Sequence, residues 1–340
     1  SLKVFQNVAG HHMIHMYEKN KSLNYEFNYK KIENDLSSLK NINNEAISEQ
    51  KIKNSSEIFQ EDEINFRENK VIIENYEKLD NVVFSSQGLV QNPDKINKKN
   101  SIEYDLRKGD GVFVINDIEL NSLKLTKEER KFAKPFYDEK DINNLSLDKK
   151  TDQNVLYITS KNCNSISQYK NLEKHLNKFK LIMNNRRENI SGKLKYFQLH
   201  WPRNEEFFLK EKIIIPSMGK RFNLALCDFP AYFGIGSNIL IQKKESFPIK
   251  FIFCLLSSSF ARYWFELNSK ERGAGFDFTL KKIKNFPIKK NEKTSEFLDN
   301  FKTNFNKIEK FRKINDELVY DLYEINHNLR SEISKFSNLF

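Results

Sequence analysis

The longest apolar stretch of the chain runs from Phe251 to Phe265 and is interrupted by Arg262. It falls short of the ~20 residues needed to cross a bilayer, so the rest of the chain has to bury it. Extended to Ile249–Leu267 it reads as one buried helix, and such a helix exists only inside a sizeable folded body. The composition can build one. The 29 Phe and 13 Tyr exceed what disordered chains carry, although mean hydropathy is only −0.68. At roughly 100–200 residues per domain, 340 residues suggest two or three domains.

Around that helix, strands and helices mix without the regular alternation of a βαβ fold, which predicts an α+β class with mixed sheets and packed helices. Leu2–Phe5, His11–Tyr17 and the period-two run Leu23–Tyr29 read as strands over residues 1–30. Such strands are marginal alone, so the chain is expected to begin inside a domain. Residues 31–57 read as a polar, acidic connector with one helix over Ile32–Leu39. A second domain is expected over 58–290. Its helices are Val71–Leu79 and, most clearly, Tyr169–Arg187, where Leu172, Leu176, Phe179 and Met183 share one face. Its strands are Asn81–Ser85, Val112–Ile115, Val155–Thr159, Ile213–Pro216, Asn223–Cys227 and Asn238–Gln242, with a strand or turn segment at Phe276–Ile288. Thr126 and Glu129 have the spacing of a capping box. Residues 291–340 read as a helical tail.

Lys and Arg outnumber Asp and Glu by 57 to 46, a formal charge of +11. Abundant Asn, Lys, Ile and Phe with little Ala is also what an AT-rich genome writes, so the mean charge alone names no partner. The distribution is more informative. Residues Lys31 to Asp80 hold 7 basic and 12 acidic side chains, which leaves 50 against 34 elsewhere. A localised positive excess of that kind suits a nucleic acid. Cys163, Cys227 and Cys254 are odd in number and far apart, which argues against a disulfide framework or a zinc knuckle and for a reduced, cytoplasmic protein.

Familiar catalytic motifs do not occur in the sequence: no Gly-x-Gly-x-x-Gly after a strand, no Walker loop, no Gly-x-Ser-x-Gly elbow. Gly234-Ile-Gly236 and Gly273-Ala-Gly275 read as tight turns, and Glu61-Asp62-Glu63 as a solvated acidic turn. His11, His12 and His15 invite a metal reading. On a strand His12 points away from the other two, so sheet packing is the expectation and no metal is assigned.

Basic and aromatic residues gather at Arg186-Arg187, at His200-Trp201-Pro202-Arg203, at Lys220-Arg221, and at Lys281, Lys282 and Lys284 beside Phe276 and Phe278. Arg and Lys neutralise phosphates, and Arg can also read guanine. The alternative for each group is a core aromatic with solvated charges.

The linear order of these pieces resembles the TaqI-like C-terminal specificity domain of type IIG restriction–modification enzymes. Gln87-Gly88-Leu89 through Asp94-Lys95 is similar to the family's Gly-Ile-x-Thr-Gly loop, with Val90-Gln91 where Thr-Gly is usual. Leu125-Thr126-Lys127-Glu128-Glu129 with Lys134-Pro135-Phe136-Tyr137 resembles the opening of its recognition domain. Tyr169–Leu176, Arg186-Arg187-Glu188, Leu199–Arg203, Lys212–Pro216, Leu255–Ser258 with Tyr263–Phe265, and Leu318–Tyr323 follow in the family's order.

The resemblance implies a target recognition domain for double-stranded DNA, preceded by the terminal strands of a truncated methyltransferase domain and followed by the helical tail. Arg186, Arg187, His200, Trp201, Arg203, Lys220, Arg221, Lys281, Lys282 and Lys284 are the expected DNA-binding residues. The family's Asn-Pro-Pro-Tyr motif does not occur in the sequence, so the chain itself is expected to carry no catalytic residue and no cofactor. S-adenosylmethionine would serve the missing methyltransferase domain, its partner in cis, and Mg a nuclease domain if the parent has one. A target adenine would be flipped toward that catalytic domain. No membrane partner is expected. The alternatives are a specificity subunit acting in trans, a hydrolase using His11–His15, and a structural basic protein.

Overall fold

Ile213, Ile214 and Ile215 have no exposed surface, because Lys212–Pro216 is an inner strand of a four-stranded antiparallel sheet. In this computed structural model the strand pairs with Ala225–Cys227 on one side and Ser237–Gln242 on the other, Ile213 lying opposite Leu226 and Leu240. Val83–Gln87 completes the sheet beside Ser237–Gln242. A strand buried on both faces reads as a continuous apolar run, which is why these strands were visible in the sequence.

The structure describes residues 73–338, apart from 144 and 273–274, and four earlier strands at Glu26–Ile32, Ile47–Asn54, Phe59–Gln60 and Glu63–Ile64. Contacts divide the chain into two units, 1–72 with 270–275 and 73–269 with 276–340. In the first, Glu26–Ile32 pairs antiparallel with Ile47–Asn54, and the register shifts between Lys31 and Ile32. The second of these strands lies within the segment read as a connector. Its backbone bonds come from a partner some twenty residues earlier, which a polar composition does not announce. The strands expected at Leu2–Phe5 and His11–Tyr17 lie outside the described residues. So does the helix expected over Ile32–Leu39, except for Ile32, which is strand.

In the second unit another four-stranded sheet runs Tyr232–Phe233, Ala133–Tyr137, Gln153–Leu156, Val114–Asn116. Its first pair is parallel and the other two are antiparallel. Mixed sheets packed with helices give the α+β class that the pattern implied. Leu172, Leu176, Phe179 and Met183 all enter the core between these elements. Full burial of such a side chain contributes about 1.5–3 kcal/mol.

Three helix expectations need correction. Tyr169–Arg187 is not one helix but two, Lys170–Asn177 and Lys180–Asn184, with Phe179 out of helical geometry between them. The break preserves the burial pattern while turning Phe179 edge-on to His175. Ile249–Leu267 is likewise two helices, Ile249–Leu256 and Ser259–Asn268. The hydroxyl of Ser258 accepts the Ala261 N–H at 3.1 Å, so a serine N-cap starts a new helix inside the apolar run. Of the helix expected over Val71–Leu79, residues 71–72 lie outside the described residues, and the remainder holds a strand, Glu77–Lys78, and the start of a 3₁₀ turn, Leu79–Asn81. Within Phe276–Ile288 the structure has a short helix, Leu280–Lys284, capped by the Thr279 hydroxyl.

The tail forms Thr294–Asn304, Ile308–Leu322 and His327–Asn338. Aromatic contacts join it to the apolar helices: Phe251 meets Phe297 at 5.2 Å, Phe253 meets Phe301 at 5.9 Å, and Phe260 meets Tyr323 at 4.8 Å. No helix among the described residues is long and apolar enough to cross a membrane.

Candidate DNA interface

Three chain segments meet where the sequence singled out Gly88 and His200–Arg203. Leu89 N–H donates to Phe233 O at 2.9 Å, and Val90 exchanges hydrogen bonds with Trp201 at 2.9 and 3.1 Å. Gly88 is required here by space. A Cβ on it would lie 2.0 Å from the Gly234 carbonyl oxygen, closer than any real contact, and the obstacle is backbone that cannot swing aside.

Arg186, expected on the DNA side, is only 6% exposed and lies beneath this junction. Its Nε donates to Met183 O and to Asn189 Oδ1, its Nη1 to Asn92 O, and its Nη2 to Lys195 O and Tyr196 O. The guanidinium also faces the Phe113 ring at 5.9 Å. Burial lowers its pKa to about 10. With its donors spent on carbonyls from both sides, Arg186 holds the 88–92 loop against the 195–203 segment.

Above it the remaining residues of this group form a connected row. Arg187, with an 87% exposed side chain, donates from Nη2 to Glu188 Oε1 at 2.8 Å. Glu188 Oε2 lies 3.4 Å from His200 Nδ1, and both atoms are buried without a hydrogen-bond partner. The Arg187 guanidinium draws Glu188 below the usual carboxylate range. Burial pushes His200 below the usual imidazole range despite Glu188, so the ring is neutral near pH 7. His200 stands edge-on to Trp201 at 4.7 Å, and Arg203 lies over the Trp201 ring at 5.6 Å. Trp201 is 46% exposed. Arg203 has φ +61°, in the left-handed region that residues other than glycine rarely occupy, and its Nε donates to Gly88 O at 3.2 Å. Its two Nη groups have no hydrogen-bond partner among the described residues. One exposed aromatic, the exposed Arg187 guanidinium and the half-buried Arg203 guanidinium thus lie along this row, the means to meet phosphates and base faces.

The other expected residues lie in separate groups. Lys220 is exposed, while Arg221 is partly buried with Nη1 3.6 Å from Glu266 Oε2 and its guanidinium over Phe336. Lys281, Lys282 and Lys284 ride on the Leu280–Lys284 helix, where Lys284 pairs with Asp80 at 3.1 Å. Glu188 and the Gly88–Gly234 approach were missed by sequence reading. Glu188 had a signal, its place beside Arg186-Arg187, but an acid in a basic cluster is easily read as solvent-facing. His11, His12 and His15 lie outside the described residues. Among the described residues no group of three His, Cys, Asp or Glu could hold a metal ion.

Buried histidine also makes stability depend on pH. His175 Nε2 contacts Val112 O at 2.9 Å, which requires the proton on that nitrogen, and burial lowers its pKa from 6.5. The unfolded chain therefore binds protons that folded His175 and His200 resist. Their contribution to stability is complete above about pH 7 and falls as pH drops through 6.5 and below. Urea midpoints should decline between about pH 7 and about pH 5, and His175→Gln should reduce that decline.

Comparison with known proteins places the row in a recognised context. Residues 134–288 match the TaqI-like C-terminal specificity domain. In sequence the chain is similar to Type II methyltransferase M.MjaIV of Methanocaldococcus jannaschii, 26% identical over 220 residues, which is 63% of this chain and 68% of that protein. In structure it is similar to the type IIL restriction–modification enzyme MmeI, solved in complex with DNA. That match has a TM-score of 0.53 and 17% identity, covers 85% of this chain and shows a shared fold. The type IIG restriction endonuclease BpuSI aligns over 73% of this chain and 32% of its own, with TM-score 0.40 and 12% identity. This chain spans 40% of the length of the MmeI chain.

Proposed function

Given that residues 134–288 form a TaqI-like C-terminal specificity domain, we propose that the chain recognises target sites on duplex DNA for a type II restriction–modification methyltransferase. The observation that carries this reading is the row Arg187–Glu188–His200–Trp201–Arg203, which lies wholly inside the matched residues and is braced from below by Arg186. Arg187 and Arg203 meet phosphates or base edges. Trp201 supplies a flat apolar contact, and neutral His200 can donate or accept. A partner methyltransferase domain closes on the opposite side of the duplex and receives the flipped adenine. S-adenosylmethionine belongs to that domain, and no residue of this chain is assigned to it.

The test is fluorescence anisotropy with labelled duplex DNA at several salt concentrations. One half of a two-domain clamp should bind at the non-specific level, Kd ~10⁻⁴–10⁻⁶ M. Arg187→Ala should make the salt dependence of log K shallower by about 0.9, the share of one phosphate. Trp201→Ala should weaken binding about tenfold with the salt dependence unchanged, because stacking releases no counterions. If neither variant differs from wild type, the row is not the recognition surface.

A further inference from the structure

Two helices carry the same short pattern. Arg262 and Glu266 lie one turn apart on Ser259–Asn268, and Arg312 and Asp316 one turn apart on Ile308–Leu322. Arginine and carboxylate at that spacing ordinarily pair with each other. Here both carboxylates are engaged by other groups. Glu266 accepts the Phe222 N–H at 3.0 Å and lies 3.6 Å from Arg221 Nη1. Asp316 accepts the Ser259 N–H at 2.7 Å and the Ser259 hydroxyl at 2.6 Å. Each thus ties its neighbourhood to the start of another segment and leaves its own arginine behind. No hydrogen bond or ion pair holds the guanidinium of Arg262 or of Arg312 among the described residues, and both residues are half-buried.

Ser259, one turn before Arg262, meets Asp316, one turn after Arg312, and Glu266, one turn after Arg262, meets Arg221, which brings the three arginines into one neighbourhood. Burial lowers the pKa of Arg262 and the charges of Arg312 and Arg221 lower it further, against the pull of Glu266 and Asp316. Burial in turn pushes the pKa values of Glu266 and Asp316 upward. Among the described residues the forks of Arg262 and Arg312 thus have open donors in a half-buried place. A tetrahedral oxyanion satisfies such forks in a way that a single carboxylate does not.

We propose that Arg262 and Arg312, with Arg221 beside them, form a binding site for one phosphate group, supplied by the backbone of bound duplex DNA. The choice of DNA as the source rests on the proposed function; the anion site itself does not. It lies on elements outside the Arg187–Arg203 row, and of its three arginines the sequence pointed only to Arg221.

Thermal unfolding of the whole chain, in inorganic phosphate and in chloride at matched ionic strength, tests the site. Phosphate should raise the wild-type Tm with concentration and should leave Arg262→Gln/Arg312→Gln unmoved. In chloride the double variant should melt at or above wild type, since it removes two unpaired like charges. A double variant several degrees less stable in chloride would show that the arginines are structural, and the proposal falls. Should that variant not fold, Arg312→Gln alone carries the same comparison. A wild-type Tm indifferent to phosphate also overturns the site. DNA titrations then identify the source: the salt dependence of log K should become shallower by about 0.9 in the variant. An unchanged salt dependence, with the phosphate response present, overturns DNA as the source and assigns the site to free phosphate. If wild type binds no DNA, the proposed function fails while the phosphate comparison still decides the site.

Discussion

Replacing Glu129 with Ala is expected to destabilise the chain by about 3 kcal/mol near neutral pH, measured as a shift in the urea midpoint. Glu129 is only 2% exposed and serves two helices at once. Its Oε2 accepts the Thr126 N–H at 2.9 Å, closing the capping box of Lys127–Arg130. The same carboxylate accepts the Asn171 N–H at 2.7 Å, the Leu172 N–H at 3.2 Å and the Asn171 side-chain amide at 3.0 Å. Lys170–Asn177 has no side-chain cap of its own at Tyr169, so a carboxylate from forty residues away takes its orphan N–H groups. Burial works to raise the Glu129 pKa, but these donors outweigh it and bring it down from 4.5 to about 2. The folded value lies below the unfolded one, so the stabilisation is complete above pH 4.5 and is lost as pH falls toward about 2. The gap between wild type and Glu129→Ala should therefore narrow between about pH 7 and about pH 3. A gap that stays constant would mean that the carboxylate charge contributes nothing.

Arg186→Ala should cost about 3 kcal/mol or more, because it strands carbonyls of Asn92, Lys195 and Tyr196 in a buried place. Arg186→Lys should recover little. An ammonium cannot reach four carbonyls and an amide oxygen on three separate segments, as the planar fork does. At temperatures where the variants remain folded, the salt dependence of DNA binding should equal that of wild type, since the buried side chain meets no phosphate. A shallower dependence in Arg186→Lys would return this residue to the interface. Arg187, one position later and exposed, should behave in the opposite way: it should change the salt dependence and leave stability nearly untouched. The pair separates bracing from contact within two adjacent residues.

Adjacent arginines look alike in a sequence, and nothing local distinguishes them. What decides is the position of carbonyls that belong to Asn92 and Tyr196, and the fold alone brings those to Arg186. The same holds for Glu129. Its capping box with Thr126 spans three residues and was legible, whereas its second role depends on a helix more than forty residues on.

Local chemistry was therefore determined by the sequence alone. Burial of Ile213–Ile215, the apolar face of Leu172 to Met183, the Thr126 cap and the helical tail follow from periodicity and short-range hydrogen bonding, which act within a few residues. The α+β class follows from their mixture, and the family likeness from their order. Tertiary structure alone decided which charges face outward. Breaks at Phe179 and Ser258, the contact of Gly88 with Gly234, the burial of Arg186 and the unpaired state of Arg262 and Arg312 all arise from groups far apart in the chain. A charged side chain is free or spent according to the acceptors around it, and those acceptors are assigned only when the chain has folded.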